Sequence, residues 1–144
     1  MAPADAATLV YRFYDELWNQ ADESVASEIL HPALSFRGSL GPLKSGPEGF
    51  IEYLRDVQAT LADFRCVIDD LIATEEGAAA RMTFSGIHRA RFFGVPATGR
   101  QVTWSGAAFF AIADQRIKDI WVLGDIDSIR QQLGAPRDAS FTEA

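Results

Sequence analysis

The sequence predicts an α+β domain: three helices packed on one face of a curved antiparallel sheet, with a short helix at the end. Three observations carry this. Apolar residues recur at helical spacing up to about Ala62, four long strand-like runs follow between Phe64 and Leu123, and a capped helical pattern closes the ordered chain. Helices first and a meander of strands afterwards is the arrangement in which helices cover one sheet face.

The first helix is expected from about Asp5 to Asn19. Leu9, Phe13 and Leu17 recur every four residues, Val10, Tyr14 and Trp18 form the adjacent stripe, and Asp5 stands where a capping side chain belongs. A second helix should follow Asp22 and run through Val25 and Ile29 to Leu30, with Pro32 ending it. Ala33–Phe36 reads as a short strand, and Gly38–Pro47 as a loop. Ser45, Pro47 and Glu48 read as a helix start, with a capping hydroxyl, a proline in the first turn and an early carboxylate. The third helix then carries Phe50, Leu54, Val57 and Leu61 on one side. Four strands are expected at Phe64–Thr74, Ala78–Phe92, Arg100–Ala113 and Arg116–Leu123, separated by turn-forming residues. Residues 1–135 read as one domain and 136–144 as a loose tail.

The 144 residues suffice for one buried core, and a content of 48% hydrophobic and 23% charged residues is that of a globular chain. A net charge of −7 argues against nucleic acid or an anionic membrane as partner, since both are held through excess Lys and Arg. No apolar run is long enough for a spanning helix, and the first residues lack the basic start of a signal peptide. The single Cys66 has no partner for an internal disulfide, which is the usage expected of a cytoplasmic protein. Ten phenylalanines, three tyrosines and three tryptophans supply either core or the lining of a pocket for a flat apolar ligand.

The last hairpin is the best place to look for a site. With Asp114-Gln115 as a two-residue turn, Ala113 faces Arg116, and one face then holds Phe110/Asp119, Ala108/Trp121, Gly106/Leu123 and Trp104/Asp125. Gly106 and Ala108 would leave space there, walled by Trp104 and Trp121. Asp119 and Asp125 would be carboxylates beside aromatics, where desolvation suits acid–base work. The competing readings are that Asp125 caps the final helix and Asp119 pairs with a cation at a sheet edge. A bulge in either strand would shift the register beyond it.

Three passages resemble the SnoaL-like polyketide cyclases, or ester cyclases, of the nuclear-transport-factor-2-like superfamily that includes ketosteroid isomerase and limonene epoxide hydrolase. They are FYDELWN (13–19), GIHRARFFGVPATGR (86–100) and IKDIWVLGDIDSIRQQLG (117–134). The resemblance implies a cone-shaped, cystatin-like fold around a cavity, a homodimer or higher oligomer, and cofactor-free chemistry on a hydrophobic small molecule. In the family's aldol cyclases an aspartate on the last strand is the acid/base, helped by Gln and His on the strand before. Those positions fall at Val122, Gly106 and Ala108 here, so none of the three is retained. His88 matches the histidine of the family's G-x-H motif and titrates near neutral pH when unperturbed; its alternative is a structural bond to a loop. Trp18 and Tyr53 fall where the cyclases contact ligand, or else belong to the core. Arg37 and Arg81, on apolar strands, would bind a carboxylate or polarise a ketone, unless they are simply solvated.

No metal-ligand spacing, phosphate loop or serine-nucleophile motif is present, so neither metal nor nucleotide cofactor is expected. The resulting expectation is a cofactor-independent cyclase or isomerase for a polyketide-like carbonyl compound. Asp125, Asp119 or His88 would be its acid/base, and Trp18, Arg37, Tyr53, Arg81, Trp104, Gly106, Ala108 and Trp121 its binding residues. The alternatives are a non-catalytic binding or oligomerisation module and, third, an epoxide-hydrolase-like enzyme.

Overall fold

A computed structural model describes residues 5–135; the expected tail, 136–144, lies outside them. The first helix, α1 (Ala6–Arg12), starts at Asp5, whose carboxylate accepts from the Thr8 amide at 2.8 Å. It passes directly into a π-helical turn, Phe13–Trp18, where the Asn19 amide reaches back five residues to the Tyr14 carbonyl. Asn19 then pairs with the sheet, its side chain exchanging two hydrogen bonds with the backbone of Cys66 at 2.7 and 2.9 Å. The widened turn brings Phe13, Tyr14, Leu17 and Trp18 all to the buried side, more than a strict 3.6-residue stripe would bury.

Asp22 caps a single 3-10 turn, Glu23–Val25, that leads into α2 (Ala26–Ile29). The chain is extended by Leu30, so β1 (Leu30–Arg37) begins earlier than expected and contains Pro32. Proline is tolerated because the pairing with the neighbouring strand is interrupted between Leu30 and Ser35. A short strand, β2 (Leu43–Ser45), occupies part of the expected loop. Helix α3 (Gly46–Thr60) has Pro47 in its first turn, but the expected Ser45 hydroxyl cap is not made: Ser45 is held extended in β2. Phe50, Tyr53, Leu54 and Val57 form its buried stripe.

Four strands follow: β3 (Leu61–Ala73), β4 (Gly77–His88), β5 (Gln101–Ala113) and β6 (Arg116–Gly124), and then α4 (Ile126–Leu133). They build one curved, unclosed six-stranded sheet in the order β2-β1-β6-β5-β4-β3, antiparallel except for β1 beside β6. The core lies between its inner face and the helices. Among the described residues no helix is long and apolar enough to cross a membrane.

The final hairpin turns at Asp114-Gln115, both with positive φ (52° and 62°), and His31 Nε2 lies 2.9 Å from the Asp114 carboxylate. Next to the turn, Ile112 faces Ile117 as expected. Beyond it a bulge at Lys118 moves the register by one residue, so that Ala111 faces Asp119, Phe109 faces Trp121 and Ala108 faces Val122. This corrects the expected faces of β6. Ile120 and Val122 point into the core, whereas Asp119 and Trp121 lie on the outer face.

Candidate functional site

The space between helices and sheet holds an apolar, partly open cavity of about 30 Å3. Phe13, Tyr14 and Trp18 of the π turn form one wall, and Tyr53 and Val57 of α3 another. Phe36 and the segment Gly38–Leu40 border it from the end of β1. The sheet contributes Phe64, Phe84, Trp104 and Val122. The rings hold one another: Phe84 stacks on Trp104 at 5.3 Å, and Trp18 meets Phe64 at 4.9 Å and Tyr53 edge-on at 6.1 Å.

The polar side-chain groups of the lining residues are the Tyr14, Ser39 and Tyr53 hydroxyls and the Trp104 indole N–H. Tyr53 Oη accepts from the Leu40 amide at 3.2 Å, which ties the Gly38–Leu40 segment over α3. Gly38 is required there, since a Cβ on it would lie 2.5 Å from the Tyr53 ring. Tyr14 Oη and Trp104 Nε1 are buried and have no hydrogen-bond partner. Burial pushes the Tyr14 phenol well above its ordinary range, reinforced by Cys66 and by Tyr53 nearby. Burial likewise raises Tyr53, against the opposing pull of the Leu40 amide and of Arg37. Both phenols are therefore neutral at physiological pH, and among the described residues no carboxylate, histidine, lysine or arginine lines the cavity.

The sequence-derived candidates separate into three groups. Trp18, Tyr53 and Trp104 line the cavity together. Gly106 and Ala108 are on the inner face beneath it but are not in its lining; the room above Gly106 is filled by Phe84, whose ring would stand 2.6 Å from a Cβ there. Val122, opposite Ala108, does line it.

The remaining candidates lie elsewhere. Asp125 caps α4, accepting from the Ser128 amide at 3.1 Å. Asp119 is exposed on the outer face, and Arg81 is exposed there too, opposite Asp70 and Ala107. Trp121 is 40% exposed, packing on Phe109 and under the Arg37 guanidinium at 5.0 Å. Arg37 also donates to the Val122 carbonyl at 2.6 Å. His88 is fully buried outside the cavity lining, with Nδ1 2.9 Å from Thr98 Oγ1 and 3.3 Å from the Thr98 amide. The amide can only donate, so Nδ1 accepts and the ring proton sits on Nε2. That bond pins the 89–100 loop. Among the described residues no three His, Cys, Asp or Glu side chains converge as a metal site.

Reasoning from the sequence passed over Tyr14 as a site residue. The signal was available: a tyrosine four residues before a tryptophan on the buried stripe brings a hydroxyl into the core, where it needs a partner.

Comparison with known proteins agrees with this architecture. The sequence model of the family described as SnoaL-like polyketide cyclase matches residues 8–133. No curated protein matches the chain. TsrD from Streptomyces laurentii superposes with a TM-score of 0.80 at 29% identity, covering 94% of this chain and 99% of that one. IdmH from Streptomyces antibioticus gives 0.80 at 23% identity, with 92% and 100% covered. A SnoaL-like polyketide cyclase from Agrobacterium tumefaciens str. C58 gives 0.75 at 21% identity, with 91% and 99% covered. The last two likenesses concern the fold alone.

Proposed function

The chain belongs to the SnoaL-like polyketide cyclase family, and from that premise we propose that its aromatic cavity takes a hydrophobic carbonyl compound and promotes ring closure or isomerisation without a cofactor. The observation that carries this reading is the apolar cavity between the π turn, α3 and the sheet, lined by seven aromatic rings besides Trp104 and bordered by Val122. Apolar walls fold a flexible substrate and exclude water, and holding two reacting carbons of one chain within reach removes much of the entropic barrier to joining them.

The acid–base scheme built on Asp119, Asp125 and His88 finds no support. One carboxylate is solvated, the other caps a helix, and the histidine is committed to Thr98. The epoxide-hydrolase reading needs a carboxylate beside the bound ligand, and the cavity lining has none. The non-catalytic binding module remains as the second reading, favoured by that same missing base. Turnover separates the two. Incubation with a linear β-polyketone ester should yield a cyclised product of unchanged mass; Val122→Phe should abolish it by filling the cavity, while Asp119→Asn should leave the rate within about twofold. Ligand binding with no product over background would establish the binding module instead.

The outer sheet face supports self-association. Trp121, Phe109, Ala79 and Ile72 face one another in a row across four strands, with Phe109 55% and Ile72 71% exposed. The small side chains of Ala79 and Ala107 leave a shallow groove beside the protruding Phe109 ring, so the face carries both a knob and a recess. A second copy related by a two-fold axis would seat each ring in the other's groove.

A further inference from the structure

We infer that the Gly38–Pro42 segment, which joins β1 to β2, is the gate through which ligand reaches the cavity, and that the Tyr53 hydroxyl is its latch. The inference rests on the cavity being the ligand site and adds how that site is entered. At about 30 Å3 the cavity has room for a water molecule but not for a ring, since an engineered cavity that takes benzene is about 150 Å3. Part of the lining must therefore move before any ring-sized ligand binds.

One part of the lining is placed to do so. Among the described residues that line the cavity, Ser39 is the only one that is not buried, so the cavity comes closest to solvent there. Gly38, Ser39 and Leu40 are also the only ones outside a helix or strand. Displacing the others would break helical or sheet hydrogen bonds, and the π turn is further clamped to β3 by the two Asn19–Cys66 bonds. Among the described residues, by contrast, the 38–42 segment makes a single hydrogen bond, from the Leu40 amide to Tyr53 Oη at 3.2 Å.

The two ends of the segment are fixed. Arg37 donates to the Val122 carbonyl at 2.6 Å, and Lys44 pairs with Glu52 on α3 at 2.9 Å, so the five residues between can swing as one unit. Gly38 lies directly on the Tyr53 and Phe36 rings, which would stand 2.5 and 3.0 Å from a Cβ there. An outward swing uncovers both rings and withdraws the buried Leu40 from the lining. Ser39 rests in turn on Gly124, where a Cβ would meet Ser39 Oγ at 2.8 Å and Ser39 Cβ at 3.1 Å. Any side chain at Gly124 would hold the gate off its seat. Closure behind the ligand remakes the Tyr53 latch and shuts out water.

The Ser39–Gly124 contact supplies the test. In a variant carrying both Ser39→Cys and Gly124→Cys the two Cβ atoms lie within about half an ångström of disulfide range, so oxidation ties the gate to β6 and dithiothreitol frees it. Binding of 2-acetylnaphthalene, a ring-bearing ketone, is followed by stopped-flow tryptophan quenching. The expected result is association at least about tenfold slower in the oxidised variant than in the same variant reduced. Wild type, whose single Cys66 is buried, should be indifferent to reductant. Tyr53→Phe keeps the ring and removes the latch, and should quicken association and dissociation alike by about fivefold. It decides alone if the bridge fails to form. Equal rates for the oxidised and reduced variant, or unchanged rates in Tyr53→Phe, would overturn the gate, and the cavity reading then stands provided Val122→Phe abolishes binding. If wild type fails to bind the ketone, or Val122→Phe binds it equally well, the cavity reading falls and the gate with it.

Discussion

Tyr14 is held in the core with a hydroxyl that finds no partner. Leaving such a group unsatisfied costs about 1–3 kcal/mol, so Tyr14→Phe should raise the melting temperature of the ligand-free protein, by an amount corresponding to roughly 1 kcal/mol. A fall would mean that an ordered water completes the hydroxyl in the empty cavity. Asp125 behaves in the opposite way. Its carboxylate closes the first turn of α4, and Asp125→Ala should lower stability by about 1 kcal/mol while leaving ligand affinity alone, as read by chemical denaturation beside a binding titration. Much of this scale was legible in the chain. The residues after Asp125 have the pattern of a helix start, and the loss of the family's Asp, Gln and His at Val122, Gly106 and Ala108 can be read directly from the letters. The role of Gly106 was not legible. Its open space is consumed by Phe84, twenty-two residues earlier, and only the pairing of β4 with β5 brings the two together.

At the scale of elements, periodicity located every long helix and strand, because a one-sided apolar stripe is what each must bury. It could not locate the bulge in β6. Lys118 and Asp119 are adjacent polar residues that satisfy the alternation equally well with or without an extra residue between them, so the letters fit two registers and the core chooses one. This choice places Val122 in the cavity and Trp121 outside it. It also makes an unusual prediction. Deleting Lys118 removes the bulge and leaves Ile117 and Ile120 facing inward, so the shortened protein should still unfold cooperatively. Deleting Phe109, equally a surface residue, reverses the faces of β5 on one side of the cut and should abolish cooperative unfolding. Thermal melts of the two deletions make the comparison. The π turn escaped the sequence reading for a related reason: one extra residue per turn is invisible in a stripe whose neighbouring stripe is also apolar.

For the molecule as a whole, the buried acids Cys66, Tyr14 and Tyr53 tie stability to alkaline pH. Burial first, and then the nearby Asp69 and Asp15, raise the Cys66 thiol above its ordinary 9.0; burial raises both phenols above 10.0. Each group is held protonated by the fold, so its contribution is complete below the unfolded-state value and is lost as pH climbs from that value toward the raised folded one. Stability should be level through neutral pH and decline from about pH 9 upward, with Cys66→Ala removing the earliest part of the decline. The proposed pairing of outer sheet faces belongs to the same scale: wild type should sediment as a dimer and Phe109→Lys as a folded monomer. The account turns most directly on one resonance, the indole Nε1–H of Trp104, followed while a cyclic ketone such as cyclohexane-1,3-dione is added. A saturable downfield shift of that proton, absent in Val122→Phe, is the predicted result. A silent Trp104 while Trp121 or the amides around Asp125 respond would place the ligand outside the cavity and contradict it.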